Sequence, residues 1–243
     1  MLLFIGIENW MSYREPYGFS MMATPSETYS SHLSLITGER RVLPMGILFG
    51  GNASGKSNFL DAIAYLRGLV LGHFSPEDSL PFLLDKEKRQ AATNFQIDFL
   101  CREKLMRYQL SINRERVLHE ALYELDQDLN VEAMVFHRLE DEIVGSDSLS
   151  AEALTTATEY LDCDNSDHLL LRQLIVDSAQ AECAYTWFNE CLSVQNSRFS
   201  NDERFDLMDS LSEKPQLLDL INKLLPLLDN GIDHFEIEIG RAH

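Results

Sequence analysis

One octapeptide constrains this chain more than any other feature: Gly50-Gly51-Asn52-Ala53-Ser54-Gly55-Lys56-Ser57. It satisfies G-x-x-x-x-G-K-[ST] at every fixed position. The apolar run Ile47-Leu48-Phe49 precedes it and reads as a strand. Phe59, Ile63, Leu66 and Val70 follow at helical spacing, which predicts a helix over 58–72. A strand, a glycine-rich turn and a helix in that order make a cradle for phosphate. The glycines let the backbone close around oxygens with no Cβ in the way. Successive N–H groups then point inward at a helix N-terminus. Lys56 is expected to bridge the β- and γ-phosphates as a point charge, and the Ser57 hydroxyl to ligate Mg²⁺. The predicted binding set is Gly50, Gly51, Asn52, Ala53, Ser54, Gly55, Lys56, Ser57 and Asn58.

Charge narrows the partners. The 243 residues carry 39 acids against 20 bases, a formal charge of −19. Mg²⁺ therefore matters, because it masks a triphosphate that such a chain would otherwise repel. The same balance argues against strong binding of duplex nucleic acid by the chain as a whole. About fourteen acids and one base, Arg138, fall between Glu120 and Asp167, and this stretch reads as a solvated face. No run reaches the roughly 18 apolar residues of a membrane span. The apolar start, residues 1–7, lacks a basic leader and reads as a first strand. Cys101, Cys163, Cys183 and Cys191 lie far apart without a C-x-x-C. They are expected to be reduced, small core residues of a cytoplasmic protein.

Periodicity gives the rest of the organisation, an α/β chain. Residues 17–23 could form a second strand, and the Ser- and Thr-rich stretch 25–38 a loop or hairpin. From Asn94 the period becomes two. Phe95, Ile97 and Phe99 alternate with polar residues, as do Tyr108, Leu110 and Ile112, with a charged turn at 102–104 between them. Residues 94–125 are expected to form an antiparallel, half-buried meander. Residues 150–230 read as helical, with Leu217, Leu220, Ile221, Leu224, Leu225 and Leu228 on one face. Ile232, Phe235, Ile237 and Ile239 suggest a last strand.

A phosphate loop alone is half of an ATPase. Hydrolysis also needs an apolar strand ending in an acid, which holds Mg²⁺ and activates water. Leu224-Leu225-Pro226-Leu227-Leu228-Asp229 comes nearest but lies in a helical pattern and contains proline. Asp98 follows Ile97 without an apolar run before it, and Leu149-Ser150-Ala151-Glu152 lacks the glycine of an L-S-x-G signature. The catalytic residues are therefore unassigned. Asp98 or an acid of Glu140-Asp141-Glu142 would have to serve as an unconventional base.

Three segments in order carry a family resemblance: Ile7-Glu8-Asn9-Trp10-Met11-Ser12-Tyr13-Arg14-Glu15, the loop with its inner Asn52 and trailing Asn58, and the meander followed by Val135-Phe136-His137-Arg138. Together they resemble the AAA/ABC-type ATPases related to SMC, RecF and OLD proteins, and among these the bacterial phage-defence ATPases of Septu, retron or PARIS type. The resemblance implies the N-terminal lobe of an ABC/SMC-like P-loop NTPase head over 1–145, a helical insertion over 146–230, and a strand over 231–243 that returns to the head before the signature and Walker B elements. It also implies ATP and Mg²⁺ as ligands, a homo-oligomer or head-to-head dimer in the full-length protein, and an effector nuclease as a partner. Relatives often carry Arg where this chain has Met11; Arg14 is the nearest substitute. Trp10 reads as a core residue, and neither Gln96 nor Gln109 is placed as a phosphate-sensing glutamine. The alternative is a truncated nucleotide-binding scaffold without turnover. A kinase or GTPase fits less well, because nothing resembles N-K-x-D, and no TOPRIM or HNH nuclease constellation is visible.

Overall fold

A computed structural model describes residues 1–24, 33–37, 40–145, 149–163, 165–195, 198–199, 216, 219 and 222–223. The chain divides into two compact units, Met1–Leu192 and Ser193–His243, and every helix and strand named below belongs to the first. The expected helix face at 217–228 and the expected strand at 232–239 lie outside the described residues, apart from Asp219, Asn222 and Lys223.

The frame is a seven-stranded sheet in the order β2-β1-β5-β6-β7-β8-β9, with β1 Leu2–Glu8, β2 Tyr17–Ser20, β5 Thr93–Cys101, β6 Lys104–Ile112, β7 Val117–Leu125, β8 Val131–Leu139 and β9 Glu142–Gly145. Every pairing is antiparallel. The meander forms where the alternation placed it: Phe95, Ile97, Phe99, Tyr108, Leu110 and Ile112 are buried on one face. Arg102 and Glu103 close the β5–β6 hairpin at positive φ (46° and 70°), as a two-residue turn between right-twisted strands demands. The meander then continues through β8 and β9. The expected strand at 17–23 shortens to Tyr17–Ser20, with a separate bridge from Met22 to Val42.

Helix α1, Lys56–Leu71, covers the buried face. Its Phe59, Ile63, Leu66 and Val70 are all buried, as their spacing predicts. Tyr65 stacks on Trp10 (4.9 Å) and lies 6.1 Å from Phe95. Past α2 (Ala151–Asp162), α3 (Leu170–Gln173) and α4 (Ala179–Thr186), a π-helical turn at Trp187–Cys191 lays Trp187 on Phe99 (4.4 Å) and the Phe188 ring edge against Tyr108 (5.7 Å). Among the described residues, one end of the opposite sheet face is capped. There the hairpin of β3 (Ser34–Thr37) and β4 (Arg40–Val42) contributes Val42 to a small core with Leu3, Leu105 and Leu125.

Two readings need correction. Glu120 and Arg138, assigned to a solvated acidic face, are fully buried. Glu120 accepts hydrogen bonds from the Tyr108 hydroxyl (2.9 Å) and from the backbone N–H groups of Leu170 (2.6 Å) and Leu171 (2.9 Å). Arg138 lies 3.7 Å from Glu120 and donates to the carbonyls of Glu140, Ser166 and His168. Burial pushes the Glu120 carboxyl up, against the pull of Arg138 and these donors. The cysteines also divide. Cys101 and Cys183 are buried with their sulfurs joined and Cα atoms 6.3 Å apart, within the range of a disulfide, whereas Cys163 and Cys191 are exposed. A separation of 82 residues conceals that β5 and α4 meet.

Candidate phosphate-binding site

The loop that precedes α1 has the backbone its sequence demands. Gly55, the N-cap, takes φ +93°, and a Cβ there would stand 2.7 Å from Ser12 Oγ. Glycine is therefore required for both conformation and space. Ala53 also sits at positive φ, 62°. Gly50 leaves room for Ser54, whose Oγ would lie 2.4 Å from an added Cβ.

Lys56 folds back over the loop. Its Nζ donates to the carbonyls of Gly50 (2.7 Å) and Gly51 (2.8 Å) and to Ser54 Oγ (3.3 Å). The ammonium thus braces the loop from within and can exchange these carbonyls for phosphate oxygens. Residues 50–54 and Ser57 are exposed, so the cradle and the Ser57 hydroxyl are open to a ligand. Among the described residues no group of three or more His, Cys, Asp or Glu side chains could hold a metal ion.

The N-terminal turn locks this loop to the sheet. Trp10 is fully buried and donates from Nε1 to the carbonyl of Asn58 (2.9 Å). Asn58 Nδ2 donates to Ser12 Oγ (2.9 Å), and the Tyr13 hydroxyl to the Gly55 carbonyl (3.1 Å). Asn9 anchors the other side: its Nδ2 donates to the carbonyls of Lys88, Ala91 and Ala92, and its Oδ1 accepts from Phe82 N–H. Two motifs separated by about forty residues are therefore one structure. Sequence reasoning set out both segments but not the roles of Ser12 and Tyr13, which their place in the turn motif signals.

Other expectations fall away from the loop. Arg14 pairs with Asp85 (2.8 Å) and Glu15 (2.6 Å), so it does not substitute for an arginine at Met11. Asp98 is clamped by Arg107 through two hydrogen bonds, 2.8 and 2.7 Å, and Gln96 accepts from Gln109 (3.0 Å); all four side chains lie on the sheet face away from α1. Glu140 and Asp141 face Arg116. None of these candidate acids is brought to the loop.

The strand expected before the loop is the clearest correction. No backbone pairing is made along 44–49 among the described residues. Met45, Ile47 and Phe49 are 68%, 57% and 89% exposed. The run is apolar enough for a buried strand, but Pro44 lacks a donor and no described strand lies alongside to complete a ladder.

A glycine loop feeding a helix N-terminus, with lysine folded over it and a solvent-open serine hydroxyl beside it, is the arrangement by which a P-loop holds phosphate. Residues 47–158 match the family model described as "AAA domain, putative AbiEii toxin, Type IV TA system". That match, which runs from the loop through the meander into α2, supports an ATPase of the AAA type. No curated protein matches the chain. No helix among the described residues is long and apolar enough to cross a membrane.

Proposed function

We propose that this chain binds Mg²⁺-ATP through residues 50–58 and forms the nucleotide-gripping lobe of an ABC/SMC-like ATPase. The observation that carries the reading is Lys56, held over an open glycine cradle by contacts that a phosphate can replace. Gly50, Gly51, Asn52, Ala53, Ser54 and Gly55 supply the backbone nest, Ser57 the Mg²⁺ ligand, and Asn58 the tie to the N-terminal turn. Residues 146–230 act as a helical insertion and 231–243 as a returning strand. The protein works in the cytoplasm in bacterial anti-phage defence, as a homo-oligomer or head-to-head dimer, beside an effector nuclease. The family description, with its toxin and toxin–antitoxin terms, supports a defence setting.

Turnover needs what lies beyond this lobe. The exposed run 45–49 is suited to pair with an apolar strand that ends in an acid, and such an acid would orient water and complete the Mg²⁺ shell. A base and a second head act on the transition state more than on ground-state binding. ATP affinity is therefore expected without appreciable hydrolysis by these residues alone. A non-cycling nucleotide-binding scaffold is the second reading, favoured by the pairing of Asp98 with Arg107 and of Glu140 and Asp141 with Arg116. Calorimetry tests the binding claim. Lys56→Ala should cost about 1.5–3 kcal/mol, a roughly ten- to hundredfold loss of ATP affinity. Equal affinity in two folded proteins would refute it.

A further inference from the structure

The sheet face opposite α1 carries an open trough. Strand register sets three rows across β2, β1, β5 and β6. The middle row, Gly18, Gly6, Gln96 and Gln109, is low. One flanking row places Glu8, Asn94, Ser111 and His119 side by side, and the other Phe4, Asp98 and Arg107. The result is a trough of about 370 Å³. Both glycines are needed for it. A Cβ on Gly18 would come 2.8 Å from the Phe4 ring and one on Gly6 3.1 Å, so the ring lies across them.

The chemistry of the lining is polar and uncharged in balance. Glu8 is neutralised by Lys88 (2.8 Å) and accepts from Asn94 (2.9 Å), and Asp98 is bound to Arg107. The Arg107 guanidinium of the flanking row is taken up by Asp98, and no lysine or arginine is among the residues that line the trough itself. Burial, and next to it His137, whose ring lies 4.8 Å away, hold the His119 imidazole below its ordinary value. Gln96 and Gln109 hold each other's amides in a fixed orientation. Ser111 Oγ and the His119 ring nitrogens have no hydrogen-bond partner among the described residues. A flat aromatic beside oriented amides is the combination that recognises heterocyclic edges. The Glu8 carboxylate in the lining, with Lys88 and Arg107 already bound to Glu8 and Asp98, disfavours a phosphate.

We propose that this trough binds a neutral planar heterocycle of the nucleobase type, with Phe4 as its aromatic wall and Gln109, Ser111 and His119 as its hydrogen-bonding edge. The site is independent of the phosphate loop, which lies at the start of α1 on the other face. The test is saturation-transfer NMR with the four ribonucleosides on the full chain carrying Lys56→Ala, which leaves the trough intact. At least one nucleoside should bind, inorganic phosphate should not compete, and Gln109→Ala or Ser111→Leu should weaken binding tenfold or more with circular dichroism unchanged. No nucleoside binding, or binding that both variants leave unaltered, would overturn the proposal. Loss of ATP binding at the loop would leave it standing.

Discussion

Two polar knots in this molecule use similar groups to opposite ends. At Tyr108, Glu120 and Arg138 every charge is buried and every partner is internal. At residues 50–57 a lysine also finds internal carbonyls, but the loop around it is open to solvent. The first knot fixes the segment from Ser166 to Leu171 onto β7 and β8. The second holds a shape until something better arrives. A polar group with exchangeable partners can bind a ligand, whereas one sealed by backbone donors can only hold the fold.

The sharpest way to break this contrast is to cut the sealed knot. Glu120→Ala should destabilise the protein by about 3–5 kcal/mol, because Arg138 is left buried without its counter-charge. Urea denaturation measures it; a loss below about 1 kcal/mol would mean that the pair behaves like a surface bridge. Lys56→Ala makes the opposite prediction: melting little changed, ATP affinity down as given above. Asn58→Ala lies between, since it removes one hydrogen bond to Ser12. It should cost about 1 kcal/mol of stability and change ATP affinity less than about threefold. A larger drop in affinity would make Asn58 a nucleotide contact rather than a staple.

The smallest effect expected is in pH. Burial holds the His119 imidazole below its ordinary value, with His137 adding to the shift. The unfolded chain then binds the proton first as pH falls below about 6.5, so this contribution to stability is complete above that value and declines beneath it. His119→Gln should flatten that part of a melting-temperature profile. An unchanged slope would show that the imidazole is solvated in both states.

Features encoded locally were the most legible in the sequence. The phosphate loop is contiguous, α1 repeats on one face, and the meander alternates with period two, so each was readable from its own residues. Features that depend on a distant neighbour were not. Nothing in an acid-rich stretch reveals that Glu120 meets Leu170 and Leu171 N–H groups fifty residues away. Strands β8 and β9 were hidden because Val131, Leu139 and Val144 face solvent at the sheet's far end. The run 47–49 misled for the same reason in reverse: its composition is that of a buried strand, and burial requires a neighbour the run itself does not specify. Within the candidate site, the loop's conformation was legible from its glycines and its fastening by Trp10, Ser12 and Tyr13 was not.

The central claim is that these residues grip ATP but do not split it. A single-turnover experiment tests it most directly: chain in excess over γ-labelled Mg²⁺-ATP, with filter-retained nucleotide and released phosphate read from the same tubes. The account predicts label retained by the wild type, lost with Lys56→Ala, and phosphate release no faster than in that variant. Rapid release by the wild type, abolished by Lys56→Ala, would contradict it and place a working base within this chain.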